Sequence, residues 1–229
     1  VLKSAKLLQK YGVEFNILTV LTKQVANRID DIYAFFKKQG FKHLQFIPML
    51  KPLRLDASGQ PISTATYAEP FPSESENYSM SSEDYFEFLQ KCFAHYTKDF
   101  ARGNYTSVRQ FDNFVRLAHF ENAEQCGMEG HCCHQFVIEG DGEVYPCDFY
   151  CIDCYDMGNI KDTDFFELSK HPIAVKFIKE SMIVEDKCKQ CGYFAMCKNG
   201  CKRERIDLDK CAAYKKFFPL ALPYLKMMR

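Results

Sequence analysis

Eight cysteines in the second half of the chain could bind metal. They are Cys126, Cys132, Cys147, Cys188, Cys191, Cys197, Cys201 and Cys211. Eight thiolates meet the demand of two iron–sulfur cubanes or of two tetrahedral zinc sites, since each takes four ligands. The spacing from Cys188 to Cys201 permits a local zinc knuckle, and it equally permits an exchange of ligands between two clusters. The spacing therefore indicates metal binding but leaves the metal open.

A disulfide framework is the other interpretation of so many cysteines. Such frameworks are typical of short secreted chains. This chain has 229 residues, of which 47% are hydrophobic, so we favour metal binding. The twelve cysteines in total also indicate a reducing, low-oxygen cytoplasm, because thiolates that hold iron–sulfur clusters must stay unoxidised.

The charge of the chain argues against two classes of partner. Its 30 basic and 30 acidic residues cancel, and the pI is near 7.1. This balance favours neither a nucleic acid nor an acidic membrane surface. No apolar run approaches the roughly 20 residues of a membrane-spanning helix. We therefore expect no nucleic-acid partner and no membrane partner.

Helical and strand patterns alternate at the start of the chain. Apolar residues recur at helical spacing over residues 1–11, and Gly12 suits a helix C-cap. A β-rich run over 13–21 is followed by a helical pattern that ends at Gly40 and by an apolar strand over 43–49. Because helices separate the strands, the pattern predicts an α/β fold with parallel strands.

A long loop and two helices are predicted next. Residues 51–82 are rich in Pro, Ser, Thr and Glu and show no period, which is typical of a loop. A helix is predicted to begin at Ser82, and Cys92 lies on its apolar stripe, where a small thiol suits a buried structural role. A second helical pattern covers residues 108–120.

Short elements are predicted among the cysteines. Two β runs around Gly140-Asp141-Gly142 predict a hairpin whose second strand delivers Cys147 and Asp148. The basic run Lys202–Arg205 is interpreted as a solvated face that offsets anionic clusters. Further helices are predicted over 165–170 and after Pro172, and a terminal apolar helix is predicted to break near Pro219 and Pro223.

Several segments resemble one protein family. They are Val144–Tyr150 (VYPCDFY), Met157–Ile160 (MGNI), Cys188–Cys191 (CKQC), Cys197–Cys201 (CKNGC) and Cys211–Phe218 (CAAYKKFF). Together they resemble the C-terminal auxiliary-cluster domain (SPASM) of radical S-adenosylmethionine (SAM) enzymes, in particular of anaerobic sulfatase-maturating enzymes. The spacing typical of the domain is also met, since nine residues separate Cys132 from Gly142 and four separate Gly142 from Cys147.

The resemblance implies a fold and a domain order. Residues 1–50 would be the last strands and helices of a partial (β/α)6 radical SAM barrel, and residues 51–105 a linker loop and helix. Residues 106–229 would be a cysteine-rich α+β SPASM domain with two auxiliary 4Fe-4S clusters. The family binds a third cluster through a C-x3-C-x2-C motif early in the barrel, but the first cysteine here is Cys92. We therefore expect the C-terminal portion of a longer enzyme, inactive alone.

The resemblance also implies two sets of ligands. The first thiol set would be Cys126, Cys132, Cys147 and Cys201, and the second thiol set would be Cys188, Cys191, Cys197 and Cys211. Full thiolate ligation suits electron transfer or a structural role rather than substrate coordination. Cys133 directly follows Cys132, and Cys151 and Cys154 form an extra pair. We expect this pair to be unliganded thiols, the alternative being a rival metal site or a redox pair.

Individual roles follow from the same resemblance. Asp148, directly after Cys147, would be the base that removes the substrate proton. Ile47 and Leu50, near the end of the final barrel strand, would lie beside S-adenosylmethionine, with a simple core role as the alternative. Arg109 and Asp112 lie in a segment similar to one near the family's active site, and we expect structurally paired or solvated charges at both.

The function that the resemblance implies is oxidation of a Cys or Ser to Cα-formylglycine. The substrate residue would lie in a C/S-x-P/A-x-R motif of an unfolded or nascent sulfatase, and an external electron donor or acceptor would take part. A 5′-deoxyadenosyl radical takes hydrogen from the β-carbon, and loss of the thiol or hydroxyl proton lets the carbon radical release its electron. Two alternatives stay open: another radical SAM/SPASM peptide maturase, for example a thioether-forming one, and a non-catalytic zinc-binding interaction module.

Overall fold

The computed structural model describes residues 1–50, 53, 55–59, 61, 78–207 and 210–228, including all their side chains except those of 206 and 207. The chain divides into two compact units. The first unit comprises Val1–Met49, Phe71–His119 and Cys211–Arg229, and the second unit comprises Leu50–Pro70 and Phe120–Lys210. Much of the loop predicted over 51–82 lies outside the described residues. The predicted domain borders after residues 50 and 105 stay predictions.

The first unit contains a three-stranded sheet. Its strands, in the order β1-β2-β3, are β1 (Ile17–Leu21), β2 (His43–Pro48) and β3 (Ser107–Val108). β1 and β2 are parallel, with Ile17 paired to Leu44, which confirms the predicted arrangement. β3 is also parallel to β2. The sequence pattern instead assigns Val108 to a helix, because two residues are too few to show a strand period.

Helices flank these strands in the chain. They are α1 (Leu2–Lys10), α2 (Lys23–Asn27), α3 (Ile29–Lys38), α4 (Ser82–Ala101) and α5 (Arg109–Ala118). The single helix predicted to end at Gly40 is two helices, because Arg28 leaves helical geometry with φ −113° and ψ 21°. α4 begins at Ser82 as predicted, and Ser81 and Asp84 form a capping box before it. Cys92 of α4 is 0% exposed, which confirms its buried position.

Aromatic rings form the core of the first unit. Phe93 from α4 meets Phe217 edge-on, with ring centroids 5.3 Å apart. Phe114 from α5 meets Phe218 in the same way at 5.1 Å. Edge-to-face pairs stabilise a core beyond the area that they bury. The rings therefore hold α4 and α5 against the final helix, Lys210–Leu225.

The final helix runs through two prolines. Pro219 and Pro223 both lie inside it, so the predicted break is wrong. A proline removes one hydrogen bond and disfavours a helix interior. Here Phe217, Phe218 and Leu225 are buried on the same helix, and tertiary packing of an apolar face outweighs local propensity.

The second unit is built from short elements. They are the antiparallel strands β4 (Val137–Ile138) and β5 (Val144–Tyr145) and the helices α6 (Phe165–Lys170), α7 (Pro172–Ser181), α8 (Asp186–Lys189), α9 (Phe194–Cys197) and α10 (Glu204–Asp207). This confirms the predicted hairpin and the helix over 165–170. Val144, Met157, Leu168 and Ala174 form an apolar cluster that joins the hairpin to α6 and α7. None of the described helices is long and apolar enough to cross a lipid bilayer.

Asp112 is a structurally paired charge in the first unit. Its carboxylate accepts hydrogen bonds from Tyr96 at 2.9 Å, from Tyr105 at 2.5 Å and from Ser107 at 2.5 Å. Burial and the negative charge of Asp112 raise the pKa of Tyr96, so that its hydroxyl keeps the proton it donates. The carboxylate therefore joins α4, β3 and α5.

We expect Asp112→Asn to lower the free energy of unfolding by about 1–3 kcal/mol, because an amide offers one oxygen to three hydroxyl donors. Urea unfolding followed by circular dichroism measures the change. Asp31→Asn is the control, since Asp31 lies in an exposed pair with Arg28 and should change stability by less than about 0.5 kcal/mol. Equal midpoints for the two variants would contradict the structural role of Asp112.

Candidate functional site

The β4–β5 hairpin places Cys147. The backbone N–H of Gln135 donates to the carbonyl of Pro146 at 3.0 Å, which extends the ladder to the residue before Cys147. A 3-10 turn over Asp148–Tyr150 follows, in which the N–H of Tyr150 donates to the carbonyl of Cys147 at 2.8 Å. Cys147 therefore lies at a fixed junction between a strand and a turn.

A separate contact fixes Cys132. Its backbone N–H donates to Ser181 Oγ at 2.8 Å, and Ser181, at the end of α7, is buried. The Ser181 hydroxyl in turn donates to the carbonyl of Ile178 at 2.6 Å. Cys126 begins a 3-10 turn, Cys126–Met128, and the amide of Gln135 lies 3.9 Å from its sulfur as a donor.

Cys201 reaches this region from a distant segment. A Cβ on Gly127 would lie 2.9 Å from Cys201 Cβ, so only glycine next to Cys126 permits the approach. Arg205 braces the turn before Cys201: it donates to the carbonyls of Asn199 at 2.8 Å, Gly200 at 3.0 Å and Ser181 at 3.0 Å. The segment that carries the later cysteines is thus held against the earlier ones.

The thiols of the first set interact electrostatically, with Cys201 as their common neighbour. Burial, followed by the charges of Cys133, Cys201 and Cys132, raises the pKa of Cys126 to about 11. Burial is also the largest cause of the raised pKa of Cys147, and Cys201 again contributes. The pKa values of Cys132 and Cys201 are likewise raised, mainly by burial. All four are free thiols, and the approach of Cys201 to Gly127 is the contact that joins the later cysteine segment to the earlier one.

These four residues fit an iron–sulfur cluster. Crowded, half-buried thiols keep their protons when no cation is near, and bound iron would replace those protons. The hydroxyl of Tyr150 is a second sign, because it is buried and has no hydrogen-bond partner among the residues that the structure describes. The N–H of Tyr150 bonds to the carbonyl of Cys147 at 2.8 Å, so the hydroxyl belongs to the segment that carries one of the four thiols. A buried, unpaired donor in this segment would suit the sulfur-rich surface of a cluster.

The second thiol set is only partly grouped. Cys188 lies in α8, Cys191 lies two residues after the end of α8, and Cys197 ends α9. The N–H of Cys191 donates to the carbonyl of Cys188 at 3.1 Å, and the thiol of Cys188 lies 3.7 Å from Asn199 Oδ1. Cys211 is exposed and belongs to the first unit. The second ligand set therefore stays a prediction.

A site for a single metal ion requires a different arrangement of ligands from that of an iron–sulfur cluster. Among the residues that the structure describes, no group of three or more His, Cys, Asp or Glu is placed to hold one metal ion. Four thiolates around one zinc ion each lie about 2.3 Å from the metal. A cubane holds its cysteines farther apart, because each binds a different iron atom.

Two further cysteines, Cys133 and Cys151, lie near the first thiol set. Cys133 is exposed and Cys132 is half-buried; both influence Cys126, and Cys132 also influences Cys201. This arrangement favours Cys132 over Cys133 as the partner of Cys201. The thiol of Cys151 lies 3.7 Å from the carbonyl of Cys147, and burial and Glu139 raise its pKa. The unliganded state expected for the Cys151–Cys154 pair stays a prediction.

Asp148 is exposed and lies next to Cys147. The Cys147 thiol is positioned to donate to Asp148 Oδ1 at 3.3 Å. An exposed carboxylate can meet a peptide and return its proton to solvent. The role of Asp148 as a base stays a prediction.

The two apolar residues expected beside S-adenosylmethionine are both partly buried. Ile47 lies in β2 on the same face as Gln45, whose amide oxygen accepts a hydrogen bond from Arg109 at 3.0 Å. Arg109 is therefore structurally paired, as expected. Leu50 follows β2 in the chain. The cofactor role of Ile47 and Leu50 stays a prediction.

The basic run Lys202–Arg205 is not a solvated face, and that prediction is wrong. Arg203 is 3% exposed, and the Lys202 side chain is 16% exposed. Lys202 pairs with Glu180 at 2.6 Å and lies over the ring of Phe177 at 4.5 Å from its centroid. The run is instead packed inside the second unit, where Lys202 and Arg205 both influence Cys132.

The sequence-based predictions give no positioning role to four residues that the structure places at the site. They are Gly127, Tyr150, Ser181 and Arg205. A signal existed for two of them, because Gly127 directly follows a cysteine and Tyr150 ends the VYPCDFY segment. Ser181 and Arg205 act through contacts that sequence spacing does not reveal.

One family model matches this region. Residues 126–192 match SPASM, described as an iron-sulfur cluster-binding domain. The match begins at Cys126 and ends directly after Cys191. It confirms the predicted SPASM domain.

Curated relatives match nearly the whole chain. The chain is 41% identical over 231 residues to the cysteine-type anaerobic sulfatase-maturating enzyme of Clostridium perfringens (strain 13 / Type A), covering 97% of this chain and 58% of that protein. It is 26% identical to the serine-type anaerobic sulfatase-maturating enzyme of Bacteroides thetaiotaomicron, covering 100% of this chain and 57% of the relative. The chain therefore spans a little over half the length of these relatives.

A solved structure of a sulfatase-maturating enzyme is also similar to this chain. Native anSMEcpe with bound AdoMet and Kp18Cys peptide aligns with a TM-score of 0.84 and 39% identity, over 97% of this chain and 59% of that chain. This likeness confirms the predicted fold class, a late part of a radical SAM barrel followed by a SPASM domain.

Proposed function

This chain is a relative of the anaerobic sulfatase-maturating enzymes, and on that premise we propose that it is the cluster-carrying part of a radical SAM oxidoreductase that forms Cα-formylglycine. The observation that carries the proposal is the approach of Cys201 to Cys126 across Gly127. A distant thiol would then complete the first set, as two clusters with exchanged ligands require. Lacking the C-x3-C-x2-C motif, the chain alone would not cleave S-adenosylmethionine.

Eight thiolates would hold two 4Fe-4S clusters, which supply electron transfer when bound. The first thiol set would bind one cluster and the second thiol set the other. Because all four ligands of each cluster come from the protein, neither cluster would offer an iron to the substrate. Ile47 and Leu50 would provide apolar contacts to S-adenosylmethionine. An oxygen-poor, reducing cytoplasm suits this set of thiols.

Asp148 would take the proton of the substrate thiol or hydroxyl. In the structure its carboxylate accepts from the Cys147 thiol. A ligated Cys147 has no thiol proton to donate, so iron binding would free Asp148 Oδ1 to accept from a substrate. The substrate would be an unfolded or nascent sulfatase segment with a C/S-x-P/A-x-R motif. An external electron donor or acceptor would complete the oxidation.

We expect Asp148→Asn to reduce formylglycine formation by about 100-fold or more in the intact radical SAM enzyme, since an amide accepts no proton. Iron content and visible absorbance should not change, because Asp148 is no ligand. The measurement is the mass of a synthetic peptide that carries the cysteine or serine motif. Asp153→Asn, at an exposed carboxylate in the next turn, is the matched control.

The outcomes separate the candidate functions. Normal turnover by Asp148→Asn would remove Asp148 from the mechanism. A product mass that fits thioether closure would indicate another radical SAM/SPASM maturase. A colourless, zinc-containing protein after anaerobic purification would indicate a zinc-binding interaction module instead.

A further inference from the structure

Tyr150 has a buried, unpaired hydroxyl. The residue is 2% exposed, and within the described part of the chain its Oη has no hydrogen-bond partner. Buried hydroxyls in folded proteins nearly always donate, because an unpaired one loses its bonds to water without replacement. We therefore expect the Tyr150 hydroxyl to find an acceptor only when the site is filled.

Contacts with neighbouring side chains hold the ring of Tyr150 in place. Its centroid lies 5.0 Å from that of Phe177 and 5.0 Å from that of Tyr155, both in edge-on geometry. The ammonium of Lys202 lies 5.2 Å from the centroid of the Tyr150 ring. The backbone of Tyr150 is also fixed, because its N–H donates to the carbonyl of Cys147 at 2.8 Å. The side chain cannot swing its hydroxyl out to water without breaking these contacts.

Contacts of Tyr150 connect it to three segments of the first thiol set. Its backbone N–H bonds to the carbonyl of Cys147. Lys202, whose ammonium lies over its ring, directly follows Cys201 in the chain. Phe177, which packs on the ring, lies one helical turn before Ser181, and Ser181 Oγ accepts from the N–H of Cys132. A cluster held by these thiols would offer sulfur acceptors to the phenol O–H.

We propose that the Tyr150 hydroxyl donates a hydrogen bond to a sulfur of the cluster held by the first thiol set and so raises the reduction potential of that cluster. The proposal rests on the proposed function, because it requires the cluster. Hydrogen bonds to cluster sulfurs favour the reduced form, which carries one more negative charge. Tyr150 is thus a positioning residue for the electron acceptor and takes no part in bond breaking.

The test is the midpoint potential of Tyr150→Phe in the anaerobically reconstituted chain, followed by electron paramagnetic resonance. We expect the reduction equilibrium of one cluster to become about tenfold less favourable, or about 59 mV for a one-electron couple, while the other cluster is unchanged. Iron content should be that of the original chain. Tyr155→Phe is the matched control, since Tyr155 packs on the same Phe177 ring but is only partly buried, and its hydroxyl is not among the buried unpaired groups.

A second variant covers a failure of Tyr150→Phe to fold. With 3-fluorotyrosine at position 150, which keeps the ring and makes the hydroxyl a stronger donor, the potential of the same cluster should rise. Unchanged potentials in both variants at full iron content would overturn the proposal and leave the cluster intact. Failure of the original chain to bind iron would instead overturn the proposed function, and this inference with it.

Discussion

Gly127→Ala is expected to abolish iron binding by the first thiol set. The added Cβ would lie 2.9 Å from Cys201 Cβ and 3.4 Å from both the Cα and the backbone nitrogen of Cys201. None of these atoms can move away by a side-chain rotation, so the Cys201 turn itself must shift. That turn is braced by Arg205 and cannot follow without losing its carbonyl contacts. A ligand set held apart in this way cannot close on a cubane.

Iron per chain after anaerobic reconstitution measures the effect, and we expect the content to fall by about half. Gly140→Ala is the control, because a Cβ there meets nothing within 4 Å. The two variants make the same chemical change, one in a close contact and one in open space. Full iron content in Gly127→Ala would show that Cys201 does not complete the first thiol set.

Cys201→Ala should lower the iron content equally, and it tests which of the two clusters Cys201 binds. Cys201 is adjacent in sequence to the second thiol set, but its thiol influences Cys126 and Cys147. Removing it should therefore destroy the cluster of the first set and spare the other, so that about half of the iron remains. Mössbauer spectra of the iron-57 form identify the cluster that is lost.

Cys133→Ala is the matched control for this change. Cys133 is an exposed thiol, whereas Cys132 is half-buried and its N–H is held by the buried Ser181 hydroxyl. We expect full iron content in Cys133→Ala. Loss of iron from Cys133→Ala but not from Cys201→Ala would reverse the assignment and make Cys133 a ligand.

The sequence predicts the fold well where long patterns repeat. The alternation of helices and strands over residues 1–49 is enough to predict parallel pairing of β1 and β2. It does not reveal β3, whose two residues show no period, or the break at Arg28, which interrupts a continuous apolar stripe. The prolines of the final helix predict a break that does not occur, because the packing of buried aromatic residues outweighs local helix propensity there.

The sequence predicts the thiols of the candidate site, but it does not predict the residues that position them. Cysteine spacing and family resemblance identify the thiols. The charged residues nearby are harder, because Lys202 and Arg203 look like a solvated run in sequence and are packed inside the unit. The orphaned hydroxyl of Tyr150 can be recognised only from coordinates, since it is defined by the absence of a partner.

The distance along the chain between Cys126 and Cys201 has a consequence for the resistance of the second unit to oxygen. The described elements between these two cysteines are short strands, turns and helices, so most of this segment is not held by long regular structure. A cluster bound by Cys126 and Cys201 would act as a cross-link that closes a long loop and removes much of the entropy of the open chain. Loss of the iron–sulfur cluster in air would then remove the electron carrier and the cross-link together. Oxidative damage would therefore end in unfolding and degradation of the unit.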